Sequence, residues 1–266
     1  MIPAFEIHTL TIGPITLQVW GLLVGLGILC ATALSARLAR ARGLEPKVVW
    51  DTAAWIILGA FMGARAFHVL FYEPTFFFAH PGEILAIWNG GLSISGGFIG
   101  ASVTGLWQLK RRGVDLLRYA DVMAFSLPLG LFVGRIGCFL TRLHPGRPTD
   151  FFLGTRFPDG LVRHDLGLYE SLNGLALFAL FLLLKKKHLP EGAFVVAFLL
   201  WYGLTRFLLD FLRAESGAIV DARYAQLTPA QYVALILFVL GVYGFAKIRR
   251  HADARPKKAY TQINHS

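Results

Sequence analysis

The sequence predicts an all-α, polytopic membrane protein with about seven transmembrane helices. Hydrophobic residues make up 55% of the 266-residue chain and charged residues only 16%, against about 25% charged residues in ordinary soluble domains. Several apolar runs reach the ~20 residues that a helix needs to cross a bilayer. The sequence does not show the alternating segments of about 10 residues that are typical of a membrane β-barrel.

Seven apolar runs are predicted to span the membrane. They cover residues 15–36, 50–72, 92–109, 119–140, 168–184, 192–212 and 229–247. Residues 1–250 are predicted to form a single helical membrane domain, whose longest loop is 141–167. The short, polar and basic segment 251–266 is predicted to be a disordered tail.

The basic residues predict the orientation of the chain. Lys and Arg follow the first, third, fifth and seventh apolar runs, whereas the N-terminus and the segment 73–83 carry none. Because cytoplasmic loops are enriched in Lys and Arg, the N-terminus and the loop 141–167 are predicted outside and the C-terminus in the cytoplasm. The net charge of +10 follows from this distribution, and no nucleic-acid partner is expected.

Three arginines interrupt the apolar runs and are the first candidate site residues. Arg65 lies in the second run, Arg135 in the fourth and Arg206 in the sixth. A guanidinium near the middle of a bilayer costs about 2.5–3.5 kcal/mol on insertion scales. Arginines kept there indicate an anion site, and the abundant anion in a membrane is a lipid phosphate.

Structural roles are the alternative for each of these arginines. The acidic residues that are available as partners are Asp121, Glu170 and Asp210. Arg206 and Asp210 are spaced i, i+4, which favours pairing on one helix. Arg65 shares a helix face with His68, and a hydrogen bond within the core is sufficient to explain that pair.

Glycines beside the spans are candidate lining residues of the site. The third run opens with Gly90, Gly91, Ser95, Gly96 and Gly97, and exposed backbone N–H groups at such positions are able to hold an anion. Close packing of helices is the alternative. Gly134 and Gly137 flank Arg135 and are predicted to leave its guanidinium room to face a ligand.

The segment 163–170 and a nearby turn supply candidate proton acceptors. His164 stands between Arg163 and Asp165, and histidine is the side chain that titrates near neutral pH. His144 is the second candidate. Asp165 also suits the N-terminus of a helix as a cap. Tyr169 and Glu170 follow at the start of the fifth apolar run.

At this point the chain resembles the prolipoprotein diacylglyceryl transferases, which are bacterial inner-membrane enzymes. The resemblance runs nearly end to end, through blocks at residues 15–26, 63–72, 88–100, 134–139, 168–170 and 202–213. The GRIGCF block resembles the family signature Gly-Arg-x-Gly-Asn-Phe, and Gly146 with Arg147 fits a later Gly-Arg. The sequence departs from the family at several positions: Trp20 replaces a Tyr, Gln18 and Ser95 each replace a His, and Cys138 replaces an Asn. The family's loop motif His-Pro-Ser-Gln-Leu-Tyr-Glu is also altered, and residues 164–170 read HDLGLYE.

The resemblance implies a function. The protein is expected to move diacylglycerol from phosphatidylglycerol to the lipobox cysteine of a lipoprotein precursor, with release of glycerol phosphate. Arg135 and Arg206 are expected to bind the phosphate, with His164 or His144 as the base. Substrate contacts are expected from residues that include Trp20, Cys138, Gly146, Tyr169, Glu170 and Asp210.

No metal cluster is evident in the sequence and no cofactor is implied. The expected partners are phosphatidylglycerol, lipoprotein precursor peptides and other membrane lipids. The alternative function is a non-catalytic membrane protein that binds or moves phospholipid, which would keep the arginines and need no base.

Overall fold

The computed structural model describes residues 2–3, 5–71, 73–86, 91–187, 189–214 and 223–253. Seven long helices and one short helix run through these residues. They are α1 (Val19–Ala41), α2 (Pro46–Phe71), α3 (Pro74–Ala79), α4 (Ile94–Arg111), α5 (Leu116–Leu140), α6 (Leu166–Leu184), α7 (Ala193–Leu209) and α8 (Pro229–Asp253). A 3-10 turn, Asp210–Leu212, continues α7. The predicted tail lies outside the described residues from 254 onward.

Six of the described helices are long and apolar enough to cross a membrane, namely α1, α2, α5, α6, α7 and α8. The 18-residue α4 is less apolar because four of its residues are glycine and several are polar. All seven predicted runs fall on long helices, so the prediction of an all-α polytopic membrane protein is confirmed. One boundary was wrong: Ile15–Gln18 is a strand, and α1 begins only at Val19.

Glycines bring two pairs of helices into backbone contact. A Cβ added at Gly59 of α2 would lie 2.8 Å from the carbonyl oxygen of Gly100 on α4. A Cβ added at Gly27 of α1 would lie 2.6 Å from the carbonyl oxygen of Gly130 on α5. Small residues are needed at both crossings because any side chain would push the backbones apart.

One end of the bundle, which we call the basic end, is where α1, α4, α6 and α8 finish. Its buried core is aromatic, and the ring centroids of Phe125 and Phe194 lie 5.0 Å apart. Asp121 accepts a hydrogen bond from Arg42 at 3.0 Å and another from the backbone N–H of Phe194 at 2.8 Å. Asp121 therefore serves the start of α7, and the suggestion that it pairs with Arg135 was wrong.

The opposite end of the bundle, which we call the sheet end, carries two small antiparallel sheets. The strands are β1 (Thr9–Ile12) and β2 (Ile15–Gln18) in a hairpin, and β3 (Pro145–Pro148), β4 (Thr155–Arg156) and β5 (Val162–Asp165) in the order β3-β5-β4. Ile2 pairs in parallel with Thr155 and so joins the chain start to the second sheet. The segment 141–167 is therefore built around a sheet.

A buried ion pair fixes this sheet to the bundle. Nη1 of Arg142 lies 2.6 Å from Oδ2 of Asp165, and both side chains are only 1% exposed. The guanidinium also lies over the ring of Phe5, 4.3 Å from its centroid. Oδ1 of Asp165 accepts the backbone N–H of Leu168 at 3.1 Å. The cap that was the alternative role for Asp165 is thus present, and the pair sets where α6 begins relative to α5.

Candidate active site

Two arginines from different helices converge on one carboxylate. Nη2 of Arg135, on α5, lies 2.7 Å from Oε2 of Glu170 on α6. Arg206, on α7, donates from Nη1 to Oε1 of the same carboxylate. The Glu170 side chain is only 5% exposed. Glu170 was one of the partners that the sequence offered for these cations, and it compensates both.

The cluster lies near the sheet end of the bundle. Arg135 precedes the end of α5 by five residues, Glu170 follows the start of α6 by four, and Arg206 precedes the end of α7 by three. At 1.5 Å per residue, all three lie within about 8 Å of a helix end. The three charged side chains are therefore gathered near one end of the bundle.

A second carboxylate holds Arg206 from the other side. Oδ1 of Asp210 lies 3.2 Å from Nη2 of Arg206, which confirms the predicted i, i+4 pair. The same oxygen accepts from Nε of Arg213 at 3.0 Å, and Oδ2 accepts from the hydroxyl of Thr228. Asp210 is fully buried. This network limits the orientations that are open to the Arg206 guanidinium.

Arg135 is the more accessible of the two arginines. Its side chain is 22% exposed, against 11% for Arg206. Its Nη1 contacts the thiol sulfur of Cys138 at 3.8 Å, and a thiol is a weak acceptor. Tyr202 lies beside the same cluster. Arg135 thus keeps a hydrogen-bond donor that an incoming anion would satisfy better than sulfur does.

His144 lies within the electrostatic field of the arginine cluster. Burial, followed by the positive charges of Arg135 and Arg213, lowers the pKa of His144 to about 4. The imidazole is therefore neutral at pH 7 and has a lone pair with which it can accept a hydrogen bond.

His164 has different surroundings from those that the sequence suggested. Its Nδ1 lies 2.8 Å from the hydroxyl oxygen of Tyr169, and burial lowers the pKa of His164. The neighbouring Arg163 is directed to Asp159, with Nη2 2.6 Å from Oδ2. Because Asp165 is directed to Arg142, neither flanking charge pairs with the imidazole.

Arg65, on α2, is held by backbone carbonyls of the segment between α2 and α4. It is 7% exposed and donates to the carbonyl oxygens of Ile84 at 2.9 Å and Gly91 at 3.0 Å. Gly91 has a φ of +71°, which favours glycine. These contacts give both residues a structural role, and they do not support the prediction that Arg65 and Gly91 bind substrate.

The other predicted lining glycines are found at packed contacts. A Cβ at Gly137 would lie 3.3 Å from Cα of Trp20, which places these two residues where α5 meets α1, and Gly134 faces the same helix. Gly96 and Gly97 face α2. A Cβ at Gly146 would lie 2.6 Å from the carbonyl oxygen of His164. Gly90 and the side chain of Ser95 lie outside the described part of the chain.

The comparisons with known proteins fit this arrangement. The sequence profile of the family described as prolipoprotein diacylglyceryl transferase matches residues 8–247. The chain belongs to the prolipoprotein diacylglyceryl transferase family. It is 36% identical to the phosphatidylglycerol–prolipoprotein diacylglyceryl transferase of Nitrosomonas europaea, over 98% of this chain and 96% of that protein. Proteins of the same name from Bacillus velezensis (32% identical, 92% and 93% covered) and Pseudomonas putida (34% identical, 96% and 98% covered) are also similar.

In this member of the prolipoprotein diacylglyceryl transferase family, several residues around the arginine cluster were not predicted from the sequence. Arg213 and Thr228 hold Asp210, and Tyr202 lies beside Arg135 and Glu170. Arg213 follows Asp210 by three residues, so the helical spacing that identified Arg206 was also available for it. No comparable signal points to Thr228, which comes from the start of a different helix.

Candidate metal ligands do not assemble near this cluster. Within the part of the chain that the structure describes, no group of three or more His, Cys, Asp or Glu side chains is placed to hold a metal ion.

Proposed function

We propose that this protein is a transferase that moves the diacylglyceryl group of phosphatidylglycerol to the cysteine thiol of a lipoprotein precursor. The observation that carries the proposal is the convergence of Arg135 and Arg206 on Glu170 near the sheet end of the bundle. Two guanidinium groups arranged around carboxylate oxygens are also suited to phosphate oxygens, which arginine binds through paired hydrogen bonds. The names of the similar proteins specify the same donor and acceptor.

The reaction increases the negative charge that the arginines face. The thiolate sulfur attacks the glycerol carbon that carries the phosphate ester, and the carbon–oxygen bond breaks. A thioether forms, and the leaving group is glycerol phosphate. The phosphate group carries one negative charge as a diester in the donor lipid and two as the released monoester. Arg135 and Arg206 stabilise that added charge, and removing one such donor typically lowers the rate by about 10²–10³-fold.

The thiol proton has to be accepted within the site. A free cysteine thiol has a pKa near 8.5, so a nearby base or cation is needed to form the thiolate at neutral pH. His144 is one candidate acceptor because its imidazole is neutral at pH 7, but the burial and positive charges that lower its pKa to about 4 also make it a weak base. His164 is the second candidate and is hydrogen-bonded to Tyr169, whose neighbour in sequence is Glu170.

The distribution of charge supports a specific orientation in the bacterial inner membrane. The described Lys and Arg residues in or just after the last turns of α1, α4, α6 and α8 lie at the basic end. The positive-inside rule then puts the basic end in the cytoplasm and the sheet end outside. Donor lipid would enter sideways from the outer leaflet, and the precursor cysteine would approach from the sheet end.

The experiment is a transfer assay with defined substrates. Purified protein in nanodiscs is incubated with phosphatidylglycerol and a lipobox peptide, and mass spectrometry detects the diacylglyceryl thioether. Phosphatidylcholine as the only lipid, and a peptide with Ser in place of the cysteine, are the matched controls. Phosphatidylglycerol that binds without any adduct forming would contradict the transferase proposal and favour a lipid-binding protein.

A further inference from the structure

An apolar cleft lies toward the other end of the molecule from the arginine cluster. This cleft of about 270 Å³ separates the α2–α4 pair from α5 and α7. Small side chains open it, including Ala101 and Gly105 on α4 and Ala120 on α5, while Leu109 and Phe198 form part of its apolar wall. Ser102 and Leu106 line the cleft and are exposed, so it opens sideways toward the membrane.

The surroundings of this cleft decide what fills it. In a bilayer, a sideways opening meets hydrocarbon rather than water. An empty apolar cleft would lose the dispersion contacts of every atom that lines it. A flexible acyl chain restores those contacts, and the narrow shape between two helix pairs suits a chain better than a folded protein segment.

The cleft reaches the membrane surface at the basic end. Leu109 lies in the last turn of α4 and Leu116 is the first residue of α5, and both line the cleft. The rings of Trp55 and Trp107 lie 5.5 Å apart beside it. Tryptophan is enriched at membrane–water interfaces, so this pair marks the head-group level of that leaflet.

Cations flank the mouth of the cleft. Lys110 and Arg111 are exposed and follow Leu109 directly, and neither has a carboxylate partner among the residues that the structure describes. The Arg111 guanidinium lies over the ring of Trp107, 5.1 Å from its centroid. Arg112, the next residue, is instead paired with Asp51. A negative head group at the mouth would therefore meet Lys110 and Arg111.

We propose that this cleft is a binding site for an anionic phospholipid of the leaflet at the basic end, separate from the donor site. One acyl chain lies between α4, α5 and α7, and the phosphate contacts Lys110 and Arg111. The site does not share residues with the arginine cluster, and lipid bound here holds the α2–α4 pair against the rest of the bundle.

Photo-crosslinking tests the acyl-chain part of the proposal. The full-length protein is placed in nanodiscs with phosphatidylglycerol that carries a diazirine near the end of one chain, and labelled peptides are mapped by mass spectrometry. Label is expected on residues of α4 and α5 that line the cleft, and Ser102→Trp should remove it. Val103→Trp, at the adjacent exposed position, is the matched control and should keep it. Ser102→Leu provides a second variant if Ser102→Trp does not fold.

Two further variants separate this site from the donor site. Arg135→Ala should reduce label near the arginine cluster and leave label in the cleft unchanged. Absence of label from the cleft peptides, or label that persists in Ser102→Trp and Ser102→Leu, would overturn the proposal even if transfer activity is normal.

The head-group part is tested by comparing lipids. The same probe built on phosphatidylcholine should label the cleft less than the phosphatidylglycerol probe does. In the double variant Lys110→Gln/Arg111→Gln, the ratio of labelling by the two lipids should fall by about fivefold for each cation removed. The matched control is Arg249→Gln with Arg250→Gln at the end of α8, which should leave the difference unchanged. Equal labelling by the two lipids in the parent protein would refute an anionic head-group site.

Discussion

Nη2 of Arg135 lies 2.7 Å from Oε2 of Glu170, so this membrane-embedded cation has a partner before any substrate arrives. The same carboxylate accepts from Arg206, and the three side chains come from α5, α6 and α7. Glu170 therefore determines both the cost of keeping the arginines in the membrane and the geometry in which they meet a phosphate.

Removing Arg135 should abolish most of the transfer activity. In Arg135→Ala, the rate is expected to fall by about 10²–10³-fold because one donor to the developing phosphate charge is lost. Arg135→Lys should not restore it, since an ammonium group lacks the planar fork of donors. The initial rate of adduct formation is the measurement. Arg37→Ala, at the basic end, is the control, and a well-folded Arg135→Ala protein with near-normal activity would contradict the phosphate-binding role.

Neutralising Glu170 should destabilise the protein. Glu170→Gln leaves Arg135 without a compensating charge and leaves Arg206 with Asp210 alone. This should lower the free energy of unfolding by about 3 kcal/mol. Anionic phospholipid should restore part of that loss by supplying a replacement anion. Denaturant unfolding with phosphatidylglycerol or phosphatidylcholine present measures both effects.

The control for Glu170→Gln is Glu191→Gln. The Glu191 carboxylate is 63% exposed and lies 3.5 Å from Arg118, and such a surface pair contributes at most about 1 kcal/mol. An equal loss of stability in the two variants would mean that the Glu170 pairs are no stronger than a surface contact.

The pH dependence of transfer should identify the proton acceptor. A histidine accepts a proton only when neutral, so the rate falls as pH decreases through its pKa. With His144 as the base, kcat/KM should stay level from pH 7 downward and fall only near pH 4, because burial and the arginine charges lower the pKa of His144 to about 4. With His164 as the base, the fall should come at a higher pH than with His144 but below the ordinary histidine value of about 6.5, because burial lowers the pKa of His164.

Variants of the two histidines complete this test. If His144 is the base, His144→Gln should lose most of the rate and His164→Gln should retain its acid limb near pH 4. Unchanged rates and profiles in both variants would exclude a histidine base and leave lowering of the thiol pKa by the arginine cluster as the explanation.

The buried pair at the sheet end should contribute far more to stability than the exposed pair next to it. Asp165→Asn leaves the 1%-exposed Arg142 without its carboxylate, which should lower the free energy of unfolding by about 3–5 kcal/mol. Asp159→Asn removes the partner of Arg163 near the surface. This variant should change the free energy of unfolding by less than about 1 kcal/mol. Chemical denaturation of both variants checks this difference.

The orientation prediction is tested with reporters fused after Ser266. A reporter that works only in the cytoplasm should be active when it is fused after Ser266, because the basic end is predicted to face the cytoplasm. A periplasmic reporter at the same position is the control and should be inactive. The opposite result would invert the topology and place the arginine cluster in the inner leaflet.

The sequence alone determined the fold class, the helix order and the two principal arginines. Apolar runs of membrane-spanning length are a local property, so each predicted run fell on a helix. Arg135 and Arg206 were conspicuous because a charge within an apolar run is costly wherever the chain folds. The family motifs supported the same two residues, and the profile match over residues 8–247 confirmed the family.

Only the tertiary structure decided which partners these residues have. Glu170 is separated from Arg135 by 35 positions and from Arg206 by 36, so no local pattern shows that one carboxylate serves both. The same reason applies to Arg65, whose hydrogen-bond partners include backbone carbonyls 19 and 26 positions away in sequence. Helical periodicity shows which residues share a face, but helix packing determines what that face meets.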